Sequence, residues 1–227
     1  MMQLDLAKQS VREVNHYLHD ELPRNGTRHV QILNPNGMHN IAVGVDAPFD
    51  IEIMGHAGYY IAGMNKRANI TIHGNVGRSV AENIMSGTVR VKGCASESAG
   101  ASGHGGLVVI EGDAALRCGI SMKGCNIVVG GSVGHLSAFM AQAGTLVVCG
   151  DAGPSLGDSL YEAIIYVRGR IHSLGVDARE EPMTDIDYLK IQQLLNTAQM
   201  KANPRDFKRV ASAKTLYHWN ADDDQEY

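Results

Sequence analysis

A six-residue pattern returns seven times along this chain, always at the same distance. Each copy alternates two apolar residues with more variable ones and ends in glycine, as in NITIHG and TVRVKG. Successive copies are 19 residues apart, and their terminal glycines, the anchors, are Gly55, Gly74, Gly93, Gly112, Gly131, Gly150 and Gly169. Self-similarity at a fixed period of this size is the signature of a repeat architecture. The repeat therefore decides the fold class before any other motif is considered.

The apolar positions of the repeat indicate β-strands. In each copy two mostly β-branched residues, such as Ile70 and Ile72, alternate with variable ones, which is the period of a strand with one buried face. A single short strand cannot bury that face alone, but stacked copies in parallel register bury both apolar columns inside a solenoid. Parallel crossovers are nearly always right-handed. The sequence thus predicts an all-β protein, a right-handed parallel β-helix of about seven 19-residue coils with short helical flanks.

Small residues recur at further fixed points of the coil. Glycine accounts for 26 of the 227 residues, and small residues also follow each of the first six anchors by seven and by thirteen positions. We expect the anchors to turn the chain with positive φ, which glycine adopts without steric cost. A Cβ at such an anchor is expected to cost about 1–2 kcal/mol. The other small columns would let neighbouring coils approach closely.

The flanks lack this period and are expected to cap the two open ends of the solenoid. Ser10 and Glu13 form a capping-box pattern before a helix that stops near Pro23, and Thr184 with Asp187 can start a second helix. The apolar residues of these helices are Val11, Val14 and Leu18 in the first and Ile186, Leu189, Leu194 and Ala198 in the second. We divide the chain into an N-terminal helix and cap (1–38), the β-helix (39–180) and a C-terminal helix with a docking arm (181–227).

The C-terminal arm carries an isolated aromatic cluster. Phe207, Tyr217 and Trp219 lie in a segment without any period, and the acidic run Asp222-Asp223-Asp224 follows them. Such an arm more often docks on another surface than forms a core of its own. We predict that these three aromatic residues dock on a partner, and docking on the same chain is the alternative.

Two glycine-rich stretches resemble functional motifs but coincide with repeat positions. Gly153-Pro-Ser155-Leu-Gly157 matches the G-x-S-x-G nucleophile elbow, yet no long helix pattern follows it. The stretch from Gly100 to Gly106 resembles a phosphate cradle but lacks the Gly-Lys-Ser/Thr ending, and His104 is its polar side chain that could face a ligand. We therefore assign no catalytic residue and no cofactor-binding residue.

Composition argues against several other classes of function. The net charge is −4 and no dense basic stretch is present, which argues against nucleic-acid binding. No apolar run approaches the roughly 18 residues of a membrane span, and the first residues do not resemble a signal peptide. The four cysteines include no C-x-x-C pair and the ten histidines are dispersed. We expect no metal site, and free thiols in a reducing, cytoplasmic compartment.

The spacing of the small residues resembles that of a known family. Gly150-Asp-Ala-Gly153-Pro-Ser-Leu-Gly157 is similar to the G-x-x-G-x-x-x-G repeat of the GXGXG family. That family includes the C-terminal domain of the glutamate synthase large subunit and one of the subunits of formylmethanofuran dehydrogenase. The resemblance covers roughly residues 1–180. With the leader SVREVNHYLHDEL and the ending FKRVASAKTLYHW, the chain is most similar to the separate GXGXG subunit of N-methylglutamate synthase and related glutamate-synthase-like complexes.

This resemblance implies a non-catalytic scaffold in a hetero-oligomer. It would hold a glutaminase-type amidotransferase subunit against a synthase subunit that carries FMN and an iron–sulfur cluster, and would bind no cofactor itself. In the N-methylglutamate variant the complex would convert methylamine and glutamate to N-methylglutamate and ammonia. The GXGXG-type subunit of formylmethanofuran dehydrogenase is the alternative. A stand-alone β-helix protein acting on polysaccharide is a second alternative, although the unbroken spacing leaves no room for the long loops of such enzymes.

Overall fold

The computed structural model describes residues 2–213, which form a parallel β-solenoid flanked by short helices. Eleven strands make one sheet in the order β1-β2-β3-β4-β5-β6-β7-β8-β9-β11-β10. The strands are β1 (Met2–Asp5), β2 (His29–Leu33), β3 (Asp50–Met54), β4 (Asn69–Ile72), β5 (Thr88–Val91), β6 (Leu107–Ile110), β7 (Lys123–Val129), β8 (Ala143–Val148), β9 (Ile164–Val167), β10 (Ala178–Glu181) and β11 (Lys208–Ser212). The helices are α1 (Val11–His16), a π-helical turn (Tyr17–Glu21), α2 (Leu22–Asn25), α3 (Asp185–Ala198) and a 3₁₀ turn (Pro204–Asp206). The predicted all-β parallel solenoid is confirmed.

The 19-residue period determines which residues lie opposite each other in neighbouring strands of the sheet. From β3 to β9 each strand pairs in parallel with the next, so that Ile70 lies opposite Ile51 on one side and Val89 on the other. Both apolar columns are buried in one continuous cluster that runs from Leu4 to Val210. Strands β1 and β2 add two parallel steps at the N-terminal end, outside the exact repeat. The core is therefore a single apolar column along the solenoid.

The anchor glycines serve a different purpose from the predicted one. Gly55 alone among the seven has positive φ, at +142°, so the expectation that the anchors turn with positive φ is wrong. Each later anchor lies on its counterpart in the preceding coil. A Cβ on Gly74 would be 2.7 Å from the carbonyl carbon of Gly55, a distance that real side chains essentially never show. Glycine is required there because the backbones of successive turns stack too closely for any side chain.

Positive φ occurs instead at the corners, five, seven and nine residues after each of the first six anchors. The residues are Tyr60, Ala62 and Met64; Ser79, Ala81 and Asn83; Ser98, Gly100 and Ser102; Arg117, Gly119 and Ser121; Leu136, Ala138 and Met140; and Ser155, Gly157 and Ser159. Ala81 and Ala138, in the middle of their corners, are fully buried. The small column seven residues after the anchors thus marks a buried left-handed position, where alanine or glycine fits with the least strain.

The predicted capping box of the first helix is present, and the predicted start of the second helix also has capping-box geometry. Ser10 accepts a hydrogen bond from the backbone of Glu13, whose carboxylate accepts one from the Ser10 N–H, and the helical segment continues to Asn25 before Gly26 turns the chain at φ +74°. Val14, Leu18 and Leu22 are buried in the solenoid core. The first helical segment therefore closes one end of the apolar column.

Helix α3 lies on the outside of the sheet rather than at its end. Thr184 and Asp187 cap it, and it buries Ile191, Leu194, Leu195 and Ala198 in a second cluster with the outward residues of β6 to β9. Of the four apolar residues predicted for this helix, Ile186 and Leu189 are 78% and 65% exposed. After α3 the chain returns as β11, which pairs antiparallel with β9 and with β10. These two strands close the other end of the parallel sheet.

Candidate docking surfaces

A column of polar residues supports the turns that follow several anchors. The side chain one residue after Gly74, Gly112, Gly131 and Gly150 accepts a hydrogen bond from the backbone N–H at the same place in the next coil. The bonds run from Cys94 to Asn75 (2.9 Å), from Ser132 to Asp113 (2.7 Å), from Asp151 to Ser132 (3.0 Å) and from Arg170 to Asp151 (2.8 Å). The sequence carries a signal for this column, short polar residues 19 apart, which the apolar and glycine patterns alone do not reveal. These side chains therefore serve to hold successive coils together at the turns after the strands.

The outer face of the sheet has two different halves. On β6 to β9 the outward positions are apolar, including Val109, Val128 and Val147, and α3 covers them. On β2 to β5 the corresponding residues are Gln31, Glu52, Thr71 and Arg90, all only partly buried. We call this second region the open half. It offers a polar surface next to an apolar one that the chain itself has already covered.

Hydrogen bonds and ion pairs organise the open half. Gln31 donates to Glu52 at 3.0 Å, and His73 lies 3.5 Å from the same carboxylate. The Gln31 hydrogen bond is the main cause that lowers the pKa of Glu52. Arg90 marks the boundary with the covered half, because it donates to the Ala198 carbonyl of α3 at 2.9 Å and pairs with Glu111 at 3.0 Å. This surface is therefore suited to polar contacts with another molecule.

A cleft of about 500 Å³ lies between the last strands of the sheet, and we call it the C-terminal cleft. Its walls include Tyr161, Ile164, Arg179, Glu181, Arg209 and Ala211. Glu181 accepts from Arg179 at 2.7 Å and from Arg209, so the carboxylate is held between two guanidinium groups. The cleft thus combines a smaller apolar part with a larger polar one, in which Glu181 is paired with Arg179 and Arg209.

A buried polar network joins this cleft to the start of α3. Tyr166 donates its hydroxyl to Asp187 at 2.6 Å, and the Arg209 Nε lies 3.3 Å from the same carboxylate oxygen. Burial raises the pKa of Tyr166 strongly, and its bond to Asp187 adds to that effect. Burial opposes ionisation of Asp187, but hydrogen bonds from Thr184 and Tyr166 outweigh it and lower its pKa. The network fixes α3 on the sheet through a charged carboxylate.

The candidate residues from the sequence fall in different places. Phe207 is 4% exposed and packs in the cluster of α3, against its own chain. Tyr217 and Trp219, the other two predicted docking residues, lie outside the described residues. Ser155 sits at a left-handed corner with φ +55°, and its N–H donates to Ser173 Oγ at 2.9 Å. His104 is exposed at a corner of another coil.

Three of the four thiols are buried. Burial raises the pKa of Cys118 and Cys125 to about 12 and also raises that of Cys149, whereas Cys94 is exposed. Within residues 2–213, no group of three or more His, Cys, Asp or Glu side chains is arranged to hold a metal ion. No helix in this described part is long and apolar enough to cross a membrane.

Comparison with known proteins gives one informative relative. No family model matches the chain. Protein GlxC of Rhizobium meliloti (strain 1021) is 50% identical to it over 225 residues, which are 99% of this chain and 99% of that protein. The chain belongs to the GlxC family. Because the match spans nearly the whole length of both proteins, it includes the helical cap and the C-terminal extension as well as the coils.

Proposed function

We propose that this chain is the non-catalytic scaffold subunit of a glutamate-synthase-like complex. The observation that carries the proposal is the in-register stack of nine parallel strands, closed at each end by the chain's own elements. Eight steps of about 4.8 Å give a rod of about 38 Å. Such a rod sets a fixed distance between subunits bound along it.

Two further observations support the choice of complex. The anchor spacing resembles that of the GXGXG family, whose members include a domain of glutamate synthase, and the anchor glycines stack closely from coil to coil. The fold of the chain agrees with the parallel solenoid that this resemblance implies. The rod would hold an amidotransferase-like subunit against a subunit with FMN and an iron–sulfur cluster, in the cytoplasm.

Within this class we propose N-methylglutamate synthase, which forms N-methylglutamate and ammonia from methylamine and glutamate. The chain would fix the distance and orientation of the two partner subunits. Active sites on separate subunits exchange a small molecule efficiently only when both are fixed. The open half of the outer face is the surface that suits a polar partner. The covered half is occupied by α3.

Affinity purification of the tagged full-length chain from its source tests the proposal. We expect two further subunits, one with the absorption spectrum of a flavin and an iron–sulfur cluster, and formation of N-methylglutamate by the assembled complex. Copurification of a molybdenum or tungsten pterin protein would support formylmethanofuran dehydrogenase instead. Hydrolysis of a polysaccharide by the purified chain alone would contradict any scaffold role.

A further inference from the structure

A pocket of about 330 Å³ lies where α2 meets the first regular coil, and we call it the N-terminal pocket. Three buried apolar side chains form its floor, those of Leu22, Ala47 and Phe49. Arg28 and Arg67 also line it, and both are exposed at its rim. We propose that this pocket binds a small amphipathic acid, whose carboxylate meets the two guanidinium groups while its apolar part lies on the floor.

The position of Arg67 departs from the repeat. It lies twelve residues after the first anchor, and the same place in the next four coils holds small residues, namely Ser86, Gly105, Gly124 and Ala143. The backbone of Arg67 is left-handed at φ +65°, although this residue lies outside the left-handed corner positions of its coil. Non-glycine residues in such strained conformations cluster at functional sites. The packing of the coils therefore does not account for this arginine.

Positive charge exceeds negative charge at the rim. Asp46 pairs with Arg67 at 2.9 Å and with Lys66 at 3.4 Å, so one carboxylate faces two cations. The bonds to Asp46 use only part of the N–H donors of the Arg67 guanidinium. Among the described residues, Arg28 has no carboxylate within ion-pair distance. Because guanidinium groups bind carboxylates through paired hydrogen bonds, the rim is suited to a further carboxylate from a ligand.

The lining and size of the pocket favour a small molecule over a polypeptide segment. An apolar lining with few convergent polar groups is typical of small-molecule sites, and about 330 Å³ lies at the lower end of their size range. An extended polypeptide would gain most from an unpaired strand edge, but β2, β3 and β4, which begin beside the pocket, are each paired on both sides. The inference does not depend on the identity of the complex.

Titration of the full-length, methyl-labelled protein with hexanoate, followed by nuclear magnetic resonance, tests the inference. We expect saturable shifts of the Leu22 and Ala47 methyl signals, with a millimolar dissociation constant that rises with salt concentration. Acetate lacks the apolar chain and hexanamide lacks the charge. Each should therefore bind at least about fivefold more weakly than hexanoate.

Substitutions distinguish the pocket from general attraction of anions to the protein. Arg28→Gln and Arg67→Gln should each weaken hexanoate binding about fivefold. Arg117→Gln is the matched control, because Arg117 is also an exposed arginine with a left-handed backbone, at φ +57°, in another coil. This control should leave binding unchanged. Circular dichroism reports the folding of each variant, and if Arg67→Gln does not fold, Arg28→Gln still decides.

Four outcomes would overturn the inference. Methyl shifts that rise with hexanoate without saturation would show that the pocket is not a site. Equal binding of hexanamide would show that the guanidinium groups play no part, and equal weakening by Arg117→Gln would show a general effect of charge. Tighter binding of an acetylated Leu-Glu-Leu amide than of hexanoate, with shifts at the same two methyl groups, would assign the pocket to a polypeptide segment instead of a small acid.

Discussion

Gly150 and Ala81 represent two separate reasons for small residues in this chain. A Cβ on Gly150 would lie 2.6 Å from the carbonyl carbon of Gly131 in the preceding coil. Ala81 instead has a Cβ, fully buried, on a backbone with φ +54°. The first position excludes a side chain by collision, whereas the second accepts a methyl group at the cost of a strained backbone.

Opposite substitutions at these positions should therefore differ in effect. Gly150→Ala is expected to lower the free energy of unfolding by about 1–3 kcal/mol, because the coils must separate to admit the methyl group. Ala81→Gly should change it by less than about 1 kcal/mol, since relief of backbone strain offsets the lost methyl contact. Urea unfolding followed by circular dichroism measures both. Equal destabilisation by the two variants would contradict the two roles.

The four thiols should react in two groups. Cys94 is exposed, while Cys118, Cys125 and Cys149 are buried and have raised pKa values that disfavour the reactive thiolate. A thiol-specific chromogenic reagent at pH 8 should modify one thiol rapidly in the folded protein and the other three only after unfolding. Cys94→Ser is expected to remove the fast phase alone. Rapid modification of more than one thiol would contradict the burial.

The anchors can be located from the sequence, but their physical reason cannot. Their equal spacing is visible in one dimension, so Gly74 and Gly93 are recognisable as equivalent places in adjacent coils. The close approach of their backbones is a distance between coils, and no pattern inside one coil shows it. The left-handed corners escape prediction for a related reason, because residue types such as those of Tyr60 and Leu136 do not indicate positive φ.

At the scale of elements, the sequence predicts where a helix begins but not which face of the helix is buried. Both capping boxes can be predicted because their two partners are three residues apart. The face that α3 buries depends on which outward strand residues it covers, and so the sequence does not reveal that Ile186 and Leu189 are exposed. Strand β11 is not indicated either, since an antiparallel closing strand need not share the period of the coils. The open half and the C-terminal cleft both depend on these nonlocal contacts, so the sequence does not predict them.

The attachment of α3 should weaken in acid. Asp187 has a lowered pKa in the folded protein, so its ionised form stabilises the fold above the ordinary pKa of about 4 and this contribution is lost as pH falls through the lower folded value. Asp187→Asn should reduce the melting temperature at pH 7, and its difference from the parent protein should shrink as pH falls below about 4. Asp185→Asn, in the same helical turn but exposed, is the matched control and should have a smaller effect. A difference that stays constant with pH would contradict the role of this charge.

At the scale of the whole molecule, the length of the rod is open to change in single steps. Duplication of residues 75–93 adds one coil outside the region that α3 covers, so we expect a folded rod about 4.8 Å longer. If the chain spaces two enzyme subunits, each should keep its separate activity while the coupled reaction slows.

A compensated variant distinguishes the effect of a longer rod from the effect of a disturbed fold. Duplication of residues 75–93 together with deletion of residues 56–74 restores the number of coils, and it should recover coupled turnover at least in part. Unchanged coupling in the longer rod would contradict the proposed spacing role, even though the fold is retained.

Because α3 covers only β6 to β9, the two halves of the rod differ in how many layers protect their backbone hydrogen bonds. Amide hydrogens of β7 and β8 should exchange with solvent only through near-global unfolding, whereas those of β3 and β4 should exchange through smaller local openings. Hydrogen–deuterium exchange with mass spectrometry would show this gradient in the isolated chain. A protein that binds the open half would slow exchange there and leave β7 and β8 unchanged, so the two exchange profiles would map the interface without any substitution.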